Sequence, residues 1–139
     1  MSMLFGKEVV LSSPLEGRIT FKGKPAAKAE IVRILKWKDD IGETETYFTD
    51  EQGHFSLPLK QAKVRIPPLA EFVISQSILV RHADQEIQIW GRTKRGTEIY
   101  DELGGRPVNF RCELTDEIEF IDVSDGLFGT SCKWDNLEH

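Results

Sequence analysis

"TYFTDEQGHFSLP", Thr46 to Pro58, is the stretch whose reading decides the fold. Asp50, Glu51 and Gln52 ahead of Gly53 gather oxygen atoms in a glycine-turned loop, as a cation site would. The same letters suit a tight turn between two β-strands, with Gly53 accepting positive φ and Asp50 bonding nearby backbone amides. A calcium loop of the EF-hand kind needs oxygen ligands at alternate positions and a later bidentate glutamate. After Asp50 those positions hold Gln52 and His54, and no glutamate follows at the required distance. The expectation is a structural turn fixed by Asp50 and Gly53, with no metal and no cofactor.

Period-two alternation surrounds this turn. "GRITFKG" sets Ile19 and Phe21 on one face and Arg18, Thr20 and Lys22 on the other. "AEIVRILKW" is apolar on both faces around Arg33, as a central strand would be. "KQAKVRIPPLA" contains Pro67 and Pro68, which cannot donate to a ladder, and reads as a crossing loop between sheets. In "EFVISQSILVRH" one face takes Phe72, Ile74, Gln76, Ile78 and Val80. "EIQIWGRT" follows as its hairpin partner. "RPVNFRCELT" points Val108, Phe110, Cys112 and Leu114 inward, and "EIEFIDV" and "LFGTSCKW" supply the last strands. "TEIYDELGG" is the one helix-like piece, with Gly104 suited to a C-terminal cap. About eight or nine short strands and almost no helix predict an all-β, antiparallel β-sandwich in a single domain over residues 1–136. Residues 137–139, "LEH", read as a tag remnant.

A resemblance sharpens this. Gly17, Ile19, Gly23, Pro25, Ala29 and Ile31, then Thr49, Asp50, Gly53 and Phe55, resemble the carboxypeptidase-regulatory or transthyretin-like β-sandwich. In that family the pattern marks strand edges and a hairpin, and its modules commonly serve as accessory, adhesion or binding domains. The segment from about 71 to 136 is extra to it. With that segment the layout is similar to small uncharacterised bacterial proteins.

Charge narrows the functional classes. The net charge of −5 argues against general nucleic-acid binding. Residues 101–139 hold ten acids and three bases, so that third is near −7 while the rest is near +2. An acidic face for a basic partner is one implication; a solvated edge is the other. No apolar run approaches the roughly 18 residues that cross a bilayer, and "MSMLFGKEVV" lacks the apolar core of a signal. The expected location is therefore the cytoplasm, or the periplasm only if a signal has been removed. Cys112 and Cys132 are then expected as buried thiols, with pairing across the sheet the alternative after export.

Sites for chemistry are sparse. Glu117 and Glu119 share one predicted strand face, with Ile118 and Phe120 on the other and Asp122 and Asp125 at the following turn. His54 and His82 are expected at the surface, and two Cys with two His at these spacings form no zinc pattern. There is no Gly-x-Ser-x-Gly elbow. "GRTKRG" (Arg92, Lys94, Arg95) reads as a basic hairpin tip beside Trp90. Trp37, Tyr47 and Trp90 either line an outer face, where exposed aromatics mark binding surfaces, or cap the core. No enzyme is expected. The leading expectation is a non-catalytic, protein-binding sandwich of the immunity or adaptor kind, meeting a basic surface of a toxin or effector. Its partner residues would be Glu117, Glu119, Asp122, Asp125, Trp90, Arg92 and Tyr47. A carbohydrate- or small-ligand-binding module is the second.

Overall fold

The computed structural model describes residues 6–139, so the first residues of the expected 1–136 domain lie outside it. The N-terminal third forms β1 (Lys7–Ser12), β2 (Leu15–Phe21), β3 (Lys24–Pro25), β4 (Glu30–Lys36) and β5 (Glu43–Phe48). The middle forms β6 (His54–Leu57), β7 (Lys60–Val64), β8 (Ile74–His82) and β9 (Gln85–Lys94). The last third forms β10 (Arg106–Val108), β11 (Arg111–Glu113), β12 (Glu119–Phe120), β13 (Leu127–Thr130), β14 (Cys132–Lys133) and β15 (Asn136–Glu138).

Two sheets make the sandwich. One has six antiparallel strands in the order β12-β13-β9-β8-β4-β5. The other has five, β14-β11-β2-β3 with β6 also on β2. Within it β11 runs parallel to β2, a departure from the wholly antiparallel expectation. Between the sheets lies one apolar core. Ile19, Phe55, Phe110 and Cys112 from the five-stranded sheet meet Ile31, Ile78, Val80, Trp90 and Phe128 from the six-stranded sheet. A ribbon of β1 and β7 closes a second, smaller cluster of Val9, Leu11, Leu35 and Ile74. Lys60–Val64 is thus a strand rather than part of a crossing loop; the prolines follow it. The expected tag remnant pairs, through β15, with β10.

The opening turn is structural in its bonds. Asp50 Oδ1 accepts the amides of Gln52 at 2.8 Å and His54 at 2.9 Å. Gly53 has φ +81°, and a Cβ there would lie 2.4 Å from the Ile19 carbonyl oxygen. Thr49 Oγ1 accepts the Ala29 amide at 2.7 Å and donates to the Ala26 carbonyl at 2.5 Å, tying β4 to the corner.

Three expectations need correction. Cys112 and Cys132 form a disulfide between directly opposed residues of β11 and β14, in place of the expected free thiols. Their Cα atoms are 4.2 Å apart, the close spacing of a non-hydrogen-bonded antiparallel pair. "TEIYDELGG" forms turns rather than a helix. Tyr100 has φ +64°, which halts helix growth, and Glu102 is drawn into the interior. The third concerns β9. Ile78 faces Trp90 but Leu79 faces Gln88, so Ile89 is an inserted bulge residue. The bulge flips the alternation, and Trp90, Arg92 and Lys94 turn inward behind Ile89. The basic hairpin tip therefore does not exist.

Candidate functional site

Arg92 and Lys94 turn into a polar seam on the inner face of the six-stranded sheet, between the two apolar clusters. Buried charges need partners, and each of these has one. Glu102 descends from the turn after β9; its Oε2 lies 3.6 Å from Lys94 Nζ and accepts Gln76 Nε2 at 2.9 Å. The same oxygen takes the Ser13 amide at 2.8 Å, while Oε1 takes the Ser13 hydroxyl at 2.6 Å. Gln76 Oε1 accepts the Trp90 indole N–H at 3.0 Å. Burial pushes the Lys94 ammonium below the ordinary lysine range, and Glu102 restores only part of the shift. Burial would raise the Glu102 carboxyl, but Lys94 and the Ser13 and Gln76 donors outweigh it and hold it low. Further along, Arg33 Nε donates to Glu45 Oε1 at 2.9 Å. Arg33 Nη2 is equally close to that oxygen but misaligned, and makes no hydrogen bond.

This seam cannot hold a substrate. The cavity beside Ser12, Ser13, Gln76 and Glu102 is about 20 Å³, room for one water. Its chemistry is structural, anchoring the 97–105 turn and β1 to the sheet.

Asp125 belongs to the same framework. It accepts Arg92 Nη2 at 2.7 Å and the amides of Arg95 and Gly96 at 3.1 Å each. Burial would raise its carboxyl, but these donors bring it down to about 2. Next to it a Cβ on Gly126 would lie 1.9 Å from the Thr93 carbonyl oxygen, so the turn into β13 admits only glycine.

The exposed chemistry lies just beyond. β12 is the free edge of the six-stranded sheet, and both of its residues are exposed. Phe120 is 86% exposed and Leu127 70%, with Ile118 and Ile121 each 37%. Phe120 faces Gly129 across the ladder, and a Cβ there would touch the Ile118 and Phe120 side chains at 3.1 and 3.2 Å. Both apolar side chains thus lie over a glycine on the sheet's outer face. Glu117, Glu119 and Asp122 are their neighbours along the edge, with Glu117 and Glu119 alternating to the other side of the strand; all three are exposed and without an ion pair among the described residues. The alternation of acids with Ile118 and Phe120 holds, but the expected inward side is solvent.

The seven expected partner residues therefore separate. Glu117, Glu119 and Asp122 come together at β12. Asp125 and Arg92 bind each other, and Trp90 is 3% exposed in the core, so neither Trp90 nor Arg92 is on an outer face. Tyr47 sits on β5, the opposite edge, half-buried against the core with its hydroxyl donating to Glu45 Oε2 at 2.9 Å. Trp37 packs on the smaller cluster. The exposed aromatics are instead Phe48, at 62%, and Phe120. Phe120 stands among three acids in "EIEFID", but Ile118 and Ile121 beside it give the stretch the look of an ordinary half-buried strand, so its exposure was not legible. Of the histidines, His54 is exposed, and His82 is half-buried with its ring 5.5 Å from that of Phe21. Among the described residues no group of His, Cys, Asp or Glu is arranged to hold a metal.

What these features define is an all-β, sandwich-like domain with a closed, hydrogen-bonded polar seam inside and an exposed edge at β12. Residues 15–117 match the family described as "Domain of unknown function (DUF6795)", and the chain belongs to that family. No curated protein and no solved structure matches it. No helix among the described residues is long and apolar enough to cross a membrane.

Proposed function

We propose that this domain is a non-catalytic binding protein that docks a basic protein surface on the β12 edge. The observation that carries the reading is the set of exposed apolar residues Phe120, Leu127, Ile118 and Ile121 at an edge strand that also carries the exposed acids Glu117, Glu119 and Asp122. Exposed apolar side chains flanked by polar ones are the anatomy of a protein interface, and acidic flanks select a basic partner. An immunity or adaptor role suits such a surface, because shape and charge rather than reacting groups would do the work. The aromatic-platform alternative lacks its three expected rings, which pack inward. The Gly17-to-Phe55 pattern supports kinship with the transthyretin-like sandwiches. Of the two compartments, the Cys112–Cys132 disulfide favours the oxidising one.

The test is comparative capture from source cells with wild type, the triple variant E117K/E119K/D122K, and a control reversal elsewhere, Glu8→Lys. A basic protein retained by wild type and the control, released by salt and lost with the triple variant, is the expected outcome. Equal retention by wild type and both variants would remove the charge argument.

A further inference from the structure

The outer face of the five-stranded sheet carries a second charged feature, opposite in sign. His54 on β6 faces Arg18 on β2, Arg18 faces Arg111 on β11, and Arg111 faces Lys133 on β14. Opposed residues share a sheet face, so these four side chains form one row across four strands. With strands about 4.8 Å apart, the row runs roughly 14 Å. All four are exposed. Like charges placed directly opposite each other destabilise a sheet, and here two such pairs occur side by side. Three members are partly answered by the chain's own carboxylates: His54 lies 3.7 Å from Asp50, Arg111 2.9 Å from Asp135, and Lys133 3.5 Å from Asp116. Arg18, in the middle, has no hydrogen bond or ion pair from its side chain among the described residues.

The surface around Arg18 is concave rather than flat. On one side a hollow of about 360 Å³ is bounded by the cations Arg18, Arg111 and Lys133, with Thr20 and Asn109, and by two carboxylates, Glu113, tied to its own loop, and Asp116, beside Lys133. On the other a groove of about 1040 Å³ brings in His54, Arg106 and the Tyr100 side, with Asp50 beside His54 and Glu16 on its wall. Apart from Glu16, the carboxylates are spent on the flanking cations or on backbone amides, so the unused positive charge at the wall of the two hollows is the Arg18 guanidinium, whose fork suits an oxyanion. We propose that Arg18 is the centre of a binding site for a phosphate-bearing ligand, held by the Arg18 fork with Arg111 and Lys133 on one side and His54 on the other. It lies on the opposite sheet from the β12 edge and does not depend on it.

The chemistry is common to a free oligophosphate and to a phosphorylated side chain, so the experiment uses both. Inorganic pyrophosphate and a phosphoserine hexapeptide are each titrated into the full chain at low ionic strength, followed by calorimetry and amide NMR. Binding of either probe should perturb amides around Arg18, Arg111 and His54, weaken with added salt, and fall about tenfold or more in Arg18→Gln. The tighter probe identifies the source. Because Arg18 is exposed and unbonded, Arg18→Gln should melt with wild type, and Arg111→Gln provides a second variant. Failure of both probes to bind, or binding unchanged in both variants, overturns the site.

Discussion

The seam inside the six-stranded sheet and the edge at β12 draw carboxylates from the same acidic third of the chain and use them in opposite ways. Glu102 is buried and Asp125 half-buried, each oxygen is answered by a donor, and both titrate below their ordinary range. Glu117, Glu119 and Asp122 stand in solvent beside exposed apolar side chains. Glu113 belongs with the first group: burial would raise its carboxyl, but the amides of Thr115, Gly23 and Lys22 and the Thr115 hydroxyl bring it to about 2. An acid count therefore says little about an acidic surface. The acids left over after the structural bonds are made are the ones that can meet a partner.

Removing Glu102 breaks the contrast most severely. In Glu102→Ala the Lys94 ammonium, 0% exposed, loses its counter-ion while Ser13 and Gln76 lose an acceptor. An uncompensated buried charge costs about 3–5 kcal/mol, so urea unfolding should show a loss of that order. The double change Lys94→Met with Glu102→Met leaves no buried charge and should recover much of it. If Glu102→Ala unfolds at the wild-type urea midpoint, Lys94 is not held as a buried charge by Glu102.

How much of this the sequence disclosed follows from where alternation holds. β2 and β8 repeat every second residue without interruption, so their inward residues were readable from spacing alone. The corner at Thr49 to Phe55 was readable because Asp50 and Gly53 are turn residues whatever surrounds them. The seam was not, because one inserted residue, Ile89, reverses every side chain after it, and nothing local in "EIQIWGRTK" marks the insertion. Arg92 and Lys94 then look like a solvated tip. Their burial depends on Asp125 and Glu102, residues 33 and 8 positions further along, and such partners are visible only once the fold brings them together. The disulfide was open for the same reason, since opposition of Cys112 and Cys132 needs the β11–β14 register. At β12 the alternation was legible, but the sheet ends there, and no local pattern announces an edge.

An intermediate effect should separate the two kinds of carboxylate by pH. Asp125 has its folded value near 2, below the ordinary 3.8, so its bonds stabilise fully above about pH 4. That contribution is lost as pH falls toward 2, and amounts to about 2 kcal/mol for a shift of this size. Asp125→Asn should lower stability at neutral pH and flatten the acid limb between pH 4 and 2, read from urea midpoints at stepped pH. An acid limb identical to wild type would mean that Arg92 does not hold Asp125 in solution.

The smallest expected change in stability is at Phe120, and it bears most directly on the edge. The ring lies over Gly129 yet is 86% exposed, so folding removes little of its surface from water. Phe120→Ser should therefore shift stability by no more than about 0.5 kcal/mol, as other surface substitutions do. Its effect on capture of a basic partner should be as large as that of the triple charge reversal, because the centre of an interface carries most of its binding energy. A loss above about 1.5 kcal/mol would show that Phe120 and Ile118 brace β13 as part of the core. The acids around them would then be a solvated margin, and the difference between the enclosed and open carboxylates would be one of burial alone. With stability kept and capture lost, Phe120 is retained at the surface for contact with another molecule.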